Sequence, residues 1–142
     1  MDINELMVDN YLSWGEDKIV KVQMLRKYKD KVGIEVLCNN NVNLWFSSDN
    51  DDIHSLDIEE LKPLELTKEI ILNNGFKFTD PWFYDEECPI AIEKGYDTKW
   101  IASKTGSINY AFNYVHELQN IMNVFKVGKQ ITLEFGLKKE SD

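Results

Sequence analysis

The sequence predicts an α+β protein: a small SH3-like antiparallel β-barrel followed by a β-meander with two short helices. Three observations predict it. Over residues 1–62, short alternating apolar stretches are separated by tight polar turns. From Phe76 to Ser103 similar short stretches resume as a meander. Two further segments read as helices: one has Ile70, Ile71 and Leu72 as its apolar side between capping residues, and the other carries apolar residues at three-to-four-residue spacing.

The first unit, residues 1–62, is expected to open with a lead-in turn over Ile3–Met7 and a strand over Asn10–Trp14. After a Gly15-Glu16-Asp17 turn comes a strand over Lys18–Leu25, with Val20, Val22 and Met24 on one face and Ile19, Lys21 and Gln23 on the other. Arg26–Lys31 reads as a charged hairpin tip. Val32–Cys38 and Val42–Phe46 form the next pair around Asn39-Asn40-Asn41, since asparagine tolerates the left-handed backbone of tight turns. Ser47–Asp57 is an acidic loop, and Leu56–Leu61 adds one helical turn before Pro63.

The second unit, residues 63–142, begins with a helix capped by Thr67, with Glu69 in its first turn and Gly75 at its end. The meander follows as Phe76–Phe78, Trp82–Tyr84, Ile90–Glu93 and Lys99–Ser103, with Ile108–Phe112 as a further strand. Its breaks are Thr79-Asp80-Pro81, Asp85-Glu86-Glu87, Gly95 and Lys104-Thr105-Gly106. Asn113 is the expected cap of a helix over Tyr114–Lys126. Tyr114, Val115, Leu118, Ile121, Met122 and Phe125 form its apolar stripe, and Glu117, Gln119, Asn120 and Asn123 its polar side. Gly128 ends the helix, Ile131, Leu133 and Phe135 alternate as a closing strand, and Lys138–Asp142 is a frayed tail. The two units are also compatible with one continuous core.

Three stretches carry a resemblance: NELMVDNYLSW with KIVKV, LKPLELTKEIILNNGFK, and YVHELQNIMNVFKVGKQITL. They resemble small uncharacterised proteins encoded by phages and mobile elements of Bacteroidetes-type bacteria. That group usually carries glycine where this chain has Asp9, and often ends its helix in Thr-Gly where this chain has Val127-Gly128. The resemblance implies a phage or mobile-element context and no particular activity.

Composition bounds the function. A chain of 142 residues with 43% hydrophobic and 12% aromatic residues has enough apolar surface to fold. The longest apolar runs fall far short of the roughly 20 residues a membrane helix requires, and the acidic start does not read as a secretory leader. The expected location is the cytoplasm, the host cytosol if the gene is phage-borne. A net charge of −9 argues against direct nucleic-acid binding, which depends on Lys and Arg displacing counterions.

Chemical motifs are sparse. Cys38, His54, Cys88 and His116 supply a zinc-like residue count without the close ligand pairs that structural sites use. Asp49-Asn50-Asp51-Asp52 with Asp57 and Glu60 has calcium-loop length, but His54 stands where the sharp turn requires glycine. Neither metal nor cofactor is expected, and no catalytic residues are assigned. His116 is the residue around which a small-ligand site or minor enzyme would be built. The aromatic run Trp82, Phe83 and Tyr84 is the main interface candidate, because aromatics dominate binding hot spots. His116, Gln119 and Asn120 on the second helix complete the candidate surface.

The leading expectation is a non-enzymatic protein-binding or adaptor protein. An acidic inhibitor of a host nucleic-acid-binding or defence protein is the alternative, with Asp49–Asp52 and Asp85–Glu87 as its phosphate mimic. The meander edge offers a route to a homodimer.

Overall fold

A computed structural model describes residues 3–15, 18–28, 30–38, 42–49, 53–95, 97, 99–104, 108–125 and 129–133. Parts of the expected turns at Gly15–Asp17, Asn39–Asn41 and Lys104–Gly106 lie outside this set. So do Asn50–Asp52 of the acidic loop, the helix end at Lys126–Gly128, and Phe135 with the tail. Among the described residues the chain is mostly β, with two α-helices. It divides into two units, one built on Met1–Leu64 and one comprising Glu65–Leu133.

In the first unit, β1 (Tyr11–Trp14) ends at Gly15, whose φ of 70° is the left-handed geometry that a tight reversal uses and a Cβ opposes. β2 (Lys18–Tyr28), β3 (Lys31–Leu37) and β4 (Asn43–Ser47) continue as an antiparallel meander. β5 (Leu56–Asp57) joins β4 in parallel. A 3-10 turn, Ile58–Glu60, is capped by the Asp57 carboxylate, which accepts the Glu59 amide hydrogen at 2.9 Å. β6 (Leu61–Pro63) then pairs with the other side of β1. The resulting order, β5-β4-β3-β2-β1-β6, makes a sheet curled into a half-barrel.

Leu12, Val20, Val22, Ile34, Val36 and Phe46 fill the concave side. Burying each such side chain contributes about 1.5–3 kcal/mol before chain entropy is charged against it. Two expectations change here. A register shift between Val22 and Met24 inserts an extra residue into β2, so the inward set passes from Val22 to Leu25 and Met24 turns outward, 41% exposed. Arg26–Tyr28 are not a hairpin tip; they pair with Lys31–Gly33, so the ribbon runs longer than expected.

In the second unit, α1 (Lys68–Asn73) is capped as expected: Thr67 Oγ1 accepts the Ile70 amide hydrogen at 3.3 Å. Gly75 follows at φ 88°. The sheet is an antiparallel meander, β11-β10-β9-β8-β7. Its strands are β7 (Lys77–Thr79), β8 (Trp82–Asp85), β9 (Cys88–Lys94), β10 (Trp100–Lys104) and β11 (Ile108–Phe112). α2 (Val115–Val124) is shorter than expected and has Tyr114, not Asn113, at its cap position. The Glu117 carboxylate reaches back to accept the backbone hydrogens of Asn113 and Tyr114, each at 3.2 Å. Residues 131–133 of the expected closing strand form no strand. Ile131 is nonetheless buried, and the Thr132 amide donates to Asn74 Oδ1 at 2.7 Å.

Candidate functional site

Alternation along the second sheet separates two faces with different fates. Phe83, Ile90, Ile92, Trp100, Ala102 and Phe112 point inward and are buried. Phe83 packs against Phe78 at 4.6 Å and Trp100 at 5.9 Å between ring centroids, and Trp100 Nε1 donates to the Leu66 carbonyl at 3.2 Å. The opposite face is a shallow open trough of about 940 Å³. Trp82, Tyr84, Pro89 and Ala91 give it an apolar floor, and Asp80, Glu93 and Lys104 supply its charges. Trp82 lies directly across the β8–β9 ladder from Glu93. The Ser103 hydroxyl donates to Asn109 Oδ1 at 2.6 Å on the β10–β11 side.

The candidate residues from the sequence therefore part company. Trp82 is half-buried and Tyr84 is 37% exposed, both lining the trough. Phe83, between them, is 3% exposed and belongs to the core. On α2, His116 is 2% exposed and Gln119 is also buried, while Asn120 is half-buried. The His116 ring stacks on Tyr114 with centroids 5.9 Å apart and planes within 9°. These helix residues pack inside the unit, and the trough lining includes none of them. Pro89, Ala91 and Glu93, which residue type alone does not mark as a surface, also line the trough; their alternation with Cys88, Ile90 and Ile92 is the signal that identifies them.

Other aromatic rings of this unit are covered by the chain's own cations. Lys68 Nζ stands 4.8 Å from the Phe78 centroid, Lys94 4.6 Å from Trp100, Lys104 4.9 Å from Phe125 and Lys129 5.4 Å from Phe76. A smaller hollow of about 330 Å³, lined by Lys94, Trp100 and Tyr114 among others, already contains such a pair.

The acidic turn Asp85-Glu86-Glu87 is engaged within the unit. Asp85 forms an ion pair with Lys129, and Glu86 lies 3.9 Å from Lys77. The hydrogen bond from Lys129, supplemented by the Glu87 amide, holds the Asp85 carboxyl below the usual carboxylate range. Asp49 of the first unit pairs with Lys31 at 3.1 Å. Burial pushes the thiols of Cys38 and Cys88 up, which keeps them protonated and poorly nucleophilic at neutral pH. Among the described residues, no three His, Cys, Asp or Glu side chains group as a metal site. Nor is any helix of these residues long and apolar enough to cross a membrane.

No protein-family model, curated protein or solved structure matches the chain.

Proposed function

We propose that this chain is a non-enzymatic protein-binding module that acts through the open face of its second sheet. The observation that carries the reading is the outward pair Trp82 and Tyr84, set with Pro89 and Ala91 in the open trough of the second sheet. Aromatic rings on a rigid strand offer large contact area at small entropic cost, which is what a binding hot spot requires.

The phage or mobile-element context and the cytoplasmic location belong to the same proposal. Asp9 departs from the resembled group without a change of backbone geometry. Its φ of 76° is a conformation glycine adopts freely, and glycine is what the resembled group carries there. An SH3-like reading of the first unit draws support from its strand order and from the 3-10 turn immediately before β6.

The acidic-inhibitor reading has less to stand on, because Asp85, Glu86 and Asp49 already face lysines of their own unit. A site centred on His116 would need the ring exposed, and it is enclosed against Tyr114.

The test is affinity capture from host lysate with wild-type protein and with Trp82→Ala and Tyr84→Ala variants of matched fold. A partner retained by the wild type and lost from both variants is the expected result. Retention unchanged in both variants would remove the trough as the binding surface.

A further inference from the structure

We infer that the trough receives lysine or arginine side chains from an extended basic segment of the partner. This rests on the protein-binding reading above and adds the partner's chemistry. The ground is a contrast inside one unit. Phe76, Phe78, Trp100 and Phe125 each have a lysine of this chain over the ring. Among the described residues, no cation stands over Trp82 or Tyr84, and the carboxylates of Asp80 and Glu93 in the same trough form no ion pair.

The nearby lysines are committed elsewhere. Lys104, which also lines the trough, holds its ammonium over Phe125, so the carboxylates of Asp80 and Glu93 outnumber the one cation among the described lining residues; Lys77 faces Glu86. Open aromatic faces beside unpaired carboxylates are complementary to a cation: the ring quadrupole and the carboxylate attract the same charge. A guanidinium also stacks flat on an aromatic ring and presents a fork of donors to a carboxylate. Phosphate and other anions would meet Asp80 and Glu93 as like charges.

The spacing selects an extended occupant. Trp82 and Tyr84 are alternate residues on β8 and both line the trough, on either side of an irregularity in the β8–β9 pairing, so two successive same-face side chains of an extended peptide have one ring each to meet. A trough open along its length admits such a segment without closing over it.

The probe is a dye-labelled peptide of four Arg-Gly repeats, titrated into the full chain and followed by fluorescence anisotropy. A matched peptide with citrulline replacing arginine keeps the shape and removes the charge. Glu59→Gln, in the first unit, makes the same charge change as Glu93→Gln and serves as the control for a net-acidic protein attracting any cation. The expected results are binding of the arginine peptide and at least tenfold weaker binding of the citrulline peptide. Glu93→Gln should weaken the arginine peptide about fivefold and Trp82→Ala about tenfold, with Glu59→Gln within twofold of wild type. Equal binding of the two peptides, or equal effects of Glu93→Gln and Glu59→Gln, would overturn the inference. If the arginine peptide does not bind but a captured partner still depends on Trp82 and Tyr84, the basic segment is excluded and the protein-binding reading survives. If Trp82→Ala alters neither peptide binding nor partner capture, both fall.

Discussion

The two sheets treat an outward tryptophan in opposite ways. On the first, Trp45 lies across Gly33 so closely that a Cβ there would come within 2.1 Å of the indole, and Arg26 stacks 5.6 Å from its ring. Glycine opens the space, the indole fills it and the guanidinium covers the outer surface. On the second, Trp82 has Glu93 across the ladder and no cation above it among the described residues. The same side chain is structural in one sheet and left available in the other. What differs is whether the chain supplies the ring's neighbours itself, so aromatic content alone does not locate a binding face.

That contrast can be broken by measurements of stability. The largest effect should come from the inward side of β8. Phe83→Ala removes a buried ring from contact with Phe78 and Trp100 and should cost about 3–5 kcal/mol in chemical denaturation. Trp82→Ala, one residue away on the open face, should cost under about 1 kcal/mol. Similar losses at both positions would mean that the trough side is packed as tightly as the core.

A smaller effect tests the self-supplied packing of the first sheet. Gly33→Ala should cost about 1–3 kcal/mol, because the new methyl must displace the Trp45 ring. Trp45→Ala should cost about 1–2 kcal/mol. The double variant should lose markedly less than the sum, since the methyl no longer meets the indole. Strict additivity would show that Trp45 does not depend on the space over Gly33.

The ion pair of the second unit gives a pH signature. Asp85 has a folded pKa below its unfolded value, so it contributes stability above the unfolded carboxyl range, near pH 4, and that contribution is lost as pH falls through the folded pKa. Asp85→Asn should therefore destabilise at pH 7 by about 1–2 kcal/mol, with the gap to wild type shrinking on acidification below about pH 4. A gap independent of pH would rule out the Lys129 contact as its source. The smallest expected change is Asp9→Gly, which relieves a left-handed backbone but frees the unfolded chain and removes a surface pair with Lys21; the net should stay within about 0.5 kcal/mol.

Local signals made much of this legible in the sequence. Thr67 and Gly75 bracket α1, and the burial alternation along Cys88–Lys94 follows from strand geometry. The bulge in β2 was not legible, because one inserted residue leaves no compositional mark yet reverses every side chain beyond it. On α2 spacing outweighs residue type. Val115, Leu118, Gln119 and Met122 stand at i, i+3, i+4 and i+7, so Gln119 falls on the buried stripe despite its polarity. The parallel pairing of β4 with β5 crosses a loop, and Asp85 meets Lys129 across 44 residues; neither long-range pairing has a local signal. Within the trough, Trp82 and Tyr84 are visible as aromatics, but that no described lysine covers their rings or pairs with Glu93 follows only from where the neighbouring lysines lie.

The most direct test of the open face is site-specific photo-crosslinking in the host cell. A photoreactive residue at Ala91 samples the trough, and one at Met24 samples the outward side of the first sheet. A discrete adduct is expected from position 91 that disappears on Trp82→Ala, with no such adduct from position 24. An adduct of equal yield from both positions, or one from position 91 that survives loss of the indole, would contradict it.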